Sequence, residues 1–348
     1  MVINISGSKL LAHLRMSLVI SVAALIVSCS PQTAEVFEPN QSSDEQSSGA
    51  AFTTATIEPD PDEPEATRQK RTSVATLDSG EASAGEVDAS NVASVPSNAL
   101  EASEWKELPV VPEFSERARE IFQAGIESGN DPTVFAKVGD CQNVPSMFLS
   151  IFDYPGYYSL GEDYSYLQET IDWYRGSFSR ESEAVRRGFN AASVVSAVWA
   201  DPESCEQGET PLECEIRINN PSVAIVSLET WWAGNPENYE KYVRQIIEGL
   251  LEHDILPIVA TKADNLEGDH QINEILAGLA MEYQIPVWNF WRAVQPLPGN
   301  GLLEDRFHLT FDENHFDDPE ALQAAWPWRN LSALQVLDEV RSELVEAE

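Results

Sequence analysis

Two short, almost wholly apolar runs, Val223 to Leu228 and Leu256 to Ala260, flank a stretch from about Pro236 to His253. In that stretch Tyr239, Tyr242, Val243, Ile246, Ile247 and Leu250 recur at helical spacing. A strand that does not alternate apolar with polar is covered on both faces, and two such strands joined by an amphipathic helix lie parallel. The same rhythm extends either way. Ser115 can cap a helix running to about Glu127, with Phe114, Ala118, Ile121 and Phe122 on its apolar side, and Asn130-Asp131-Pro132 then breaks it. Thr133 to Val138 reads as a buried strand. Downstream come a helix from Gln271 to Tyr283, a strand from Val287 to Phe290 and a last helix from about Leu331 to Val345. The expectation is an α/β domain with a central parallel sheet and helices on both faces, its sites at the carboxyl ends of the strands.

The rest of the chain cannot join that core. Acid is dense from Glu35 to Glu107, where aromatic residues are almost absent and Ser, Ala, Thr and Pro fill the gaps. Such a stretch buries too little apolar surface to offset its chain entropy, so residues 30–108 are expected to be a disordered linker and 109–348 the folded domain. Over all 348 residues, 58 Asp and Glu face 21 Lys and Arg, a formal charge of −37. No basic patch is visible, which argues against nucleic acid as a partner.

Residues 1–29 have the form of an export signal. Lys9, His13 and Arg15 precede an apolar stretch, Met16 to Val27, too short for a stable membrane span, and the stretch ends in Ile26-Val27-Ser28-Cys29. That ending resembles a bacterial lipobox, in which the Cys is acylated before cleavage makes it the new N-terminus; an ordinary signal peptide or an uncleaved anchor are the alternatives. Lipid on Cys29 would hold an extracytoplasmic domain near a membrane on a linker of about 75 residues, with an r.m.s. span on the order of 50 Å. Export permits disulfides. Cys205 and Cys214 bracket a short polar segment containing Gly208 and Pro211, and a bridge there is expected to contribute about 2 to 3 kcal/mol. A metal site is the competing use, but no His or further Cys lies near enough in sequence to complete a tetrahedral set. With Cys29 given to lipid, Cys141 is left as the unpaired cysteine.

The strand ends carry the chemistry. The first strand runs into Gly139-Asp140-Cys141, and after Pro296-Leu297-Pro298-Gly299 comes Asp305-Arg306-Phe307-His308. A nucleophile at the mouth of the first strand and a C-terminal Asp-x-x-His resemble the SGNH, or GDSL-type, hydrolases. In that family the first block is Gly-Asp-Ser, the second supplies a Gly, the third is Gly-x-Asn-Asp and the last Asp-x-x-His. Gly188 would fill the second block and Leu228-Glu229-Thr230-Trp231-Trp232 the third, so the resemblance spans roughly Phe114 to Val345. It implies a three-layer flavodoxin-like sandwich and an ester hydrolase without cofactor or metal. His308 would take the nucleophile's proton, Asp305 would orient it, and backbone N–H groups of Cys141 and Gly188 would bind the oxyanion.

Two departures stand out. Cys141 replaces the family Ser, which a Cys beside His can do as a thiolate. Trp231 falls where an Asn should donate to the oxyanion, and Glu229 where a small Gly is expected; losing one such donor costs about 10²- to 10³-fold in turnover. Asn143, Asn190 and Asn235 are the nearby candidates to replace it. Two functions follow. One is an esterase or acylhydrolase on small acyl esters, including those of cell-envelope polysaccharide, with a Cys-His-Asp arrangement. The other is a catalytically inactive, lipid-tethered member of the fold that binds a glycan or partner. The other histidines have plain readings: His253 at a helix C-terminus, His270 at a helix start capped by Asp269, and His315 in a solvated acidic turn. Trp231 and Trp232 pack in the core or line a sugar- or acyl-binding cleft.

Overall fold

Ser115, in extended conformation, accepts the amide of Ala118 at 3.0 Å and so starts α1 (Glu116–Ser128) at the residue the sequence predicts. Gly129, at φ 98°, takes the left-handed cap that turns the chain out of the helix and towards β1 (Asp131–Gly139). The computed structural model describes residues 104–228 and 235–345. After β1 come β2 (Tyr158–Ser159), α2 (Gln168–Trp173), α3 (Ala191–Val194), α4 (Pro211–Asn219) and β3 (Pro221–Ser227). Then follow α5 (Pro236–Leu251), β4 (Leu256–Ala260), α6 (Gln271–Tyr283), β5 (Val287–Trp288), α7 (Phe290–Val294), β6 (Asn314–His315) and α8 (Ala325–Val340).

The main sheet has the order β1-β3-β4-β5, every pair parallel, with Val138 beside Val226 and Val226 beside Val259. On the free side of β1, Gly139 forms a parallel bridge with Val185, and its N–H donates to the Ala184 carbonyl at 3.0 Å. This one-residue remnant of an edge strand completes the flavodoxin-like order, in which the chain direction through the sheet reverses at β1. Sites in such sheets lie outside the carboxyl ends of the strands at that reversal, here β1 and β3.

Right-handed crossovers in one direction put α4, α5 and α6 on one face, which leaves the other to α1 and α8. Arg119 and Gln123 of α1 donate to the carbonyls of Glu343 and Leu344, just past α8, at 2.9 and 3.2 Å. Between the layers Val223 to Val226 are at most 1% exposed, which is why these strands read as continuous apolar runs. A minor parallel pair, β2 with β6, sits apart from the main sheet.

Two boundaries differ from expectation. Phe290 starts α7 instead of ending a strand, because Asn289 caps there by accepting the amide of Arg292. Packed structure also begins before residue 109. Trp105 is 2% exposed and its carbonyl accepts the Asn289 side chain at 2.9 Å, so the last residues of the acidic stretch belong to the domain. Among the described residues no helix is long and apolar enough to cross a membrane.

Several charged groups are carried into the core. Lys137 of β1 is 1% exposed and donates to the Phe178 carbonyl at 2.8 Å. Burial, seconded by the Arg180 guanidinium, lowers its ammonium to a pKa of about 7. Nearby, Arg180 pairs with the buried Glu215 at 3.1 Å, and burial pushes that carboxyl upward.

Candidate active site

The turn that ends β1 is built around Gly139. A Cβ at this position would lie 2.2 Å from Asn143 Nδ2 and 2.5 Å from the Ser227 carbonyl oxygen, so only glycine lets the ends of β1 and β3 meet here. Asp140 is fully buried, its Oδ1 accepting the amide of Gln142 at 3.1 Å, and its carbonyl accepts the amide of Asn143. This locked turn leaves Cys141 8% exposed at the mouth of the strand.

Asp305 and His308 are brought together. They sit on a hairpin closed by the Leu302–Leu309 bridge, with the Leu303 amide donating to the His308 carbonyl at 2.8 Å. Asp305 Oδ2 lies 2.5 Å from His308 Nδ1, and Oδ1 accepts the amides of Phe307 and His308, each at 3.0 Å. Partial burial raises the Asp305 carboxyl, but the hydrogen bonds from His308 and the two amides outweigh it and hold the group below its usual range. The aspartate therefore stays ionised and fixes the ring with Nδ1 inward. Nε2, the atom that would act as base, makes no hydrogen bond among the described residues, and none joins His308 to Cys141.

Gly188 occupies the turn between Arg186 and Phe189 at φ 85°, a conformation that favours glycine. The Gly139–Val185 bridge holds this turn beside the end of β1, and the Gly188 N–H has no hydrogen-bond partner among the described residues. Glu229 and Trp231, the degenerate third block, lie outside the described residues, as do Cys29 and Trp232.

Of the three asparagines that could replace the missing donor, two cap helices through Oδ1, a bond that leaves Nδ2 uncommitted. Asn190 caps α3 by accepting the Ser193 amide, and Asn235 caps α5 by accepting that of Asn238. Asn143 stands at the strand ends, but its Nδ2, the atom an oxyanion would need, already donates to the Ser227 carbonyl at 2.6 Å.

Cysteine pairing is resolved in part as expected. Cys205 and Cys214 are bridged, with Cα atoms 5.2 Å apart. Glu183 comes within 3.9 Å of the Cys205 sulfur, but with the bridge closed neither sulfur is a thiolate ligand. The expectation that Cys141 is the unpaired cysteine is corrected: its sulfur is disulfide-bonded, and no free cysteine occurs among the described residues. A bridged sulfur has no proton to give and cannot attack a carbonyl.

Arg329 of α8 is the site residue that sequence reasoning missed. It is wholly buried beneath the ends of β1 and β3, where it donates to Ser227 Oγ at 2.8 Å and to Asn143 Oδ1 at 3.4 Å. Its guanidinium carbon lies 4.9, 5.0, 5.4 and 5.8 Å from the ring centres of Phe148, Phe290, Trp288 and Trp326. The signal was an arginine in the aromatic run Trp326-Pro327-Trp328. The remaining histidines do structural work. His253 bonds the Gly249 carbonyl at 2.9 Å, and His315 pairs in β6 near Glu313. His270, though, takes the N-cap position itself at φ 60°, with no capping bond, while Asp269 accepts the Gln271 amide.

No family model and no curated protein matches the chain. Solved structures do. A protein described as lipolytic and of the G-D-S-L family from Desulfitobacterium hafniense DCB-2 is 16% identical, with 59% of this chain and 99% of that one covered and a TM-score of 0.35. A lipase/acylhydrolase from Enterococcus faecalis is 13% identical, over 60% of this chain and 95% of that one, at 0.33. An acetyl xylan esterase is 14% identical, over 61% and 99%, at 0.34.

Proposed function

We propose that this domain is an ester hydrolase of the GDSL type, in which His308, oriented by Asp305, is the general base and Cys141 is the nucleophile once its disulfide is reduced to the thiol. The closed Asp305–His308 pair is the observation that supports this reading, since a free-standing histidine needs no buttress that fixes its tautomer. His308 Nε2 takes the thiol proton as sulfur bonds to the ester carbonyl carbon. The alkoxide then leaves with the proton from His308. Water, deprotonated by the same nitrogen, cleaves the thioester to give the acid and restore the thiol. Backbone N–H groups of Cys141 and Gly188 stabilise the oxyanion, and without a side-chain donor turnover is slow by about 10²- to 10³-fold. The substrates are small acyl esters, among them those on cell-envelope glycans; acylation of Cys29, which needs a free sulfur and so excludes a bridge between Cys29 and Cys141, tethers the domain to a membrane.

The bridged Cys141 favours a second reading, a non-catalytic binding protein of the same fold. Turnover of an aryl acetate by the full chain, with and without a phosphine reductant, separates the two. Hydrolysis that appears on reduction and is lost in His308→Ala supports the enzyme; none in either state leaves the binding protein. For the anchor, Cys29→Ala should release the protein from membranes, and equal retention of mutant and wild type would refute the tether.

A further inference from the structure

A cleft of about 880 Å³ opens between the loop after β4, α7 and the hairpin that carries Asp305 and His308. That volume is in the range of small-ligand sites and the cleft is at the carboxyl end of the sheet, where such folds bind. One wall carries Trp291 and His270, braced by the buried Trp105, which does not itself line the cleft. Trp291 meets Trp105 edge-on at 5.0 Å and His270 at 5.6 Å, and Trp105 meets His270 at 5.8 Å. Leu266 and Leu303, partly exposed, add apolar surface at the rim.

The polar groups here are amides and an imidazole. Asn300 donates to Gln295 Oε1 at 2.7 Å, which leaves its own carbonyl oxygen to the cleft, and His270 Nδ1 is buried with no hydrogen-bond partner. Burial and the nearby Lys106 lower the His270 imidazole, so it stays neutral at pH 7. Charges of both signs stand around the cleft. Lys262 is held at 2.6 and 2.7 Å by Asp264 and Glu267, and the rim carries Glu304 with Arg306. A ring with one apolar face and several hydroxyls finds both an aromatic wall and amide partners here.

The backbone adds an independent observation. His270, Asn300 and Arg306, three of the seven non-glycine residues at positive φ among the described residues, all line this one cleft, at φ 60°, 56° and 59°. Each such residue costs on the order of 1 kcal/mol or more, and strain of this kind gathers where a ligand has to be met.

From these features we infer that the cleft is a binding site for a neutral pyranose ring of a glycan, with Trp291 as the stacking platform and Asn300 as a hydroxyl partner. The inference rests on the hydrolase reading only for what the site would serve: a sugar seated here is held beside the hairpin that bears the base.

The test is titration of the full chain with neutral oligosaccharides (xylo-, cello- and chito-oligomers), with polygalacturonate as an anionic probe and decanoate as an apolar one, followed by calorimetry and tryptophan fluorescence. At least one neutral oligomer should bind and perturb the tryptophan emission. Trp291→Ala should weaken that binding at least tenfold, Trp291→Phe less, and Asn300→Ala, at the exposed rim, severalfold without loss of fold. Binding should persist in His308→Ala. Binding with no ester turnover would overturn the hydrolase and leave the cleft assignment standing; turnover with no oligosaccharide binding would overturn the cleft assignment alone. Preference for decanoate or polygalacturonate, or oligosaccharide binding indifferent to Trp291 and Asn300, would also overturn it.

Discussion

Asp305 Oδ2 and His308 Nδ1 are 2.5 Å apart, and the same carboxylate accepts the amides of Phe307 and His308, so the ring's orientation is fixed before any substrate arrives. Because the Asp305 carboxyl is held below its ordinary value, the contribution of this pair to stability is present above the unfolded carboxylate pKa and is lost as pH falls through the lowered one. Asp305→Asn should flatten the acid limb of a thermal-unfolding profile between about pH 4 and pH 2 while leaving the melting temperature near pH 7 little changed, since the aspartate is half exposed. An acid limb identical to wild type would contradict this account of the pair.

Lys137 gives the opposite slope. Its buried ammonium has a pKa of about 7, far below the unfolded value, so the unfolded chain binds more protons between those limits and this residue's contribution to stability rises with pH there. Lys137→Met should stabilise the domain at pH 6 by several degrees, at about 2 to 4 °C per kcal/mol for this size, and the gain should shrink towards pH 10. A gain that does not change with pH would show that packing, not the charge, is responsible.

How far the sequence showed this structure depends on element length. Long periodic segments were legible: β4 and α6 fall on the predicted residues, and Ser115 caps α1 as its position suggests. Single-turn helices such as α3, and the two-residue pair β2 and β6, carry no period and went unread. The last helix was placed six residues late; it starts at Ala325 and holds Pro327 in its first turn, which accommodates proline. That error hid Arg329, whose burial depends on the rings of Phe148 and of Trp288 and Phe290, both segments distant in sequence, as well as on Trp326 of its own helix. The Asp305–His308 pair was readable because it is local; the state of the Cys141 sulfur was not, because it depends on a partner distant in sequence.

Arg329 should be among the most sensitive positions in the domain. Arg329→Ala removes the donor to Ser227 Oγ and empties a cavity ringed by four aromatic side chains, at a cost of about 3 to 5 kcal/mol. Arg329→Lys should recover little of it, because an ammonium lacks the planar stacking group. Chemical denaturation of the three proteins measures this, and full rescue by lysine would contradict the stacking account.

Gly139→Ala places a Cβ against the Ser227 carbonyl, where no flexible side chain can yield. We expect a loss of about 1 to 3 kcal/mol, the range of an overpacked core. An alanine variant as stable as wild type would show that β1 and β3 can separate at their ends.

The central claim is that Cys141, as a thiol, is acylated with His308 as its base. The most direct test treats the phosphine-reduced full chain with an activated aryl acetate, counts the leaving group released in the burst, and locates the acetyl group by peptide mass spectrometry. The account predicts a burst approaching one equivalent, acetyl on the peptide that contains Cys141, and loss of both in His308→Ala. A reduced protein whose Cys141 is shown by alkylation to be a free thiol, yet which gives no burst and carries no acetyl there, would contradict it.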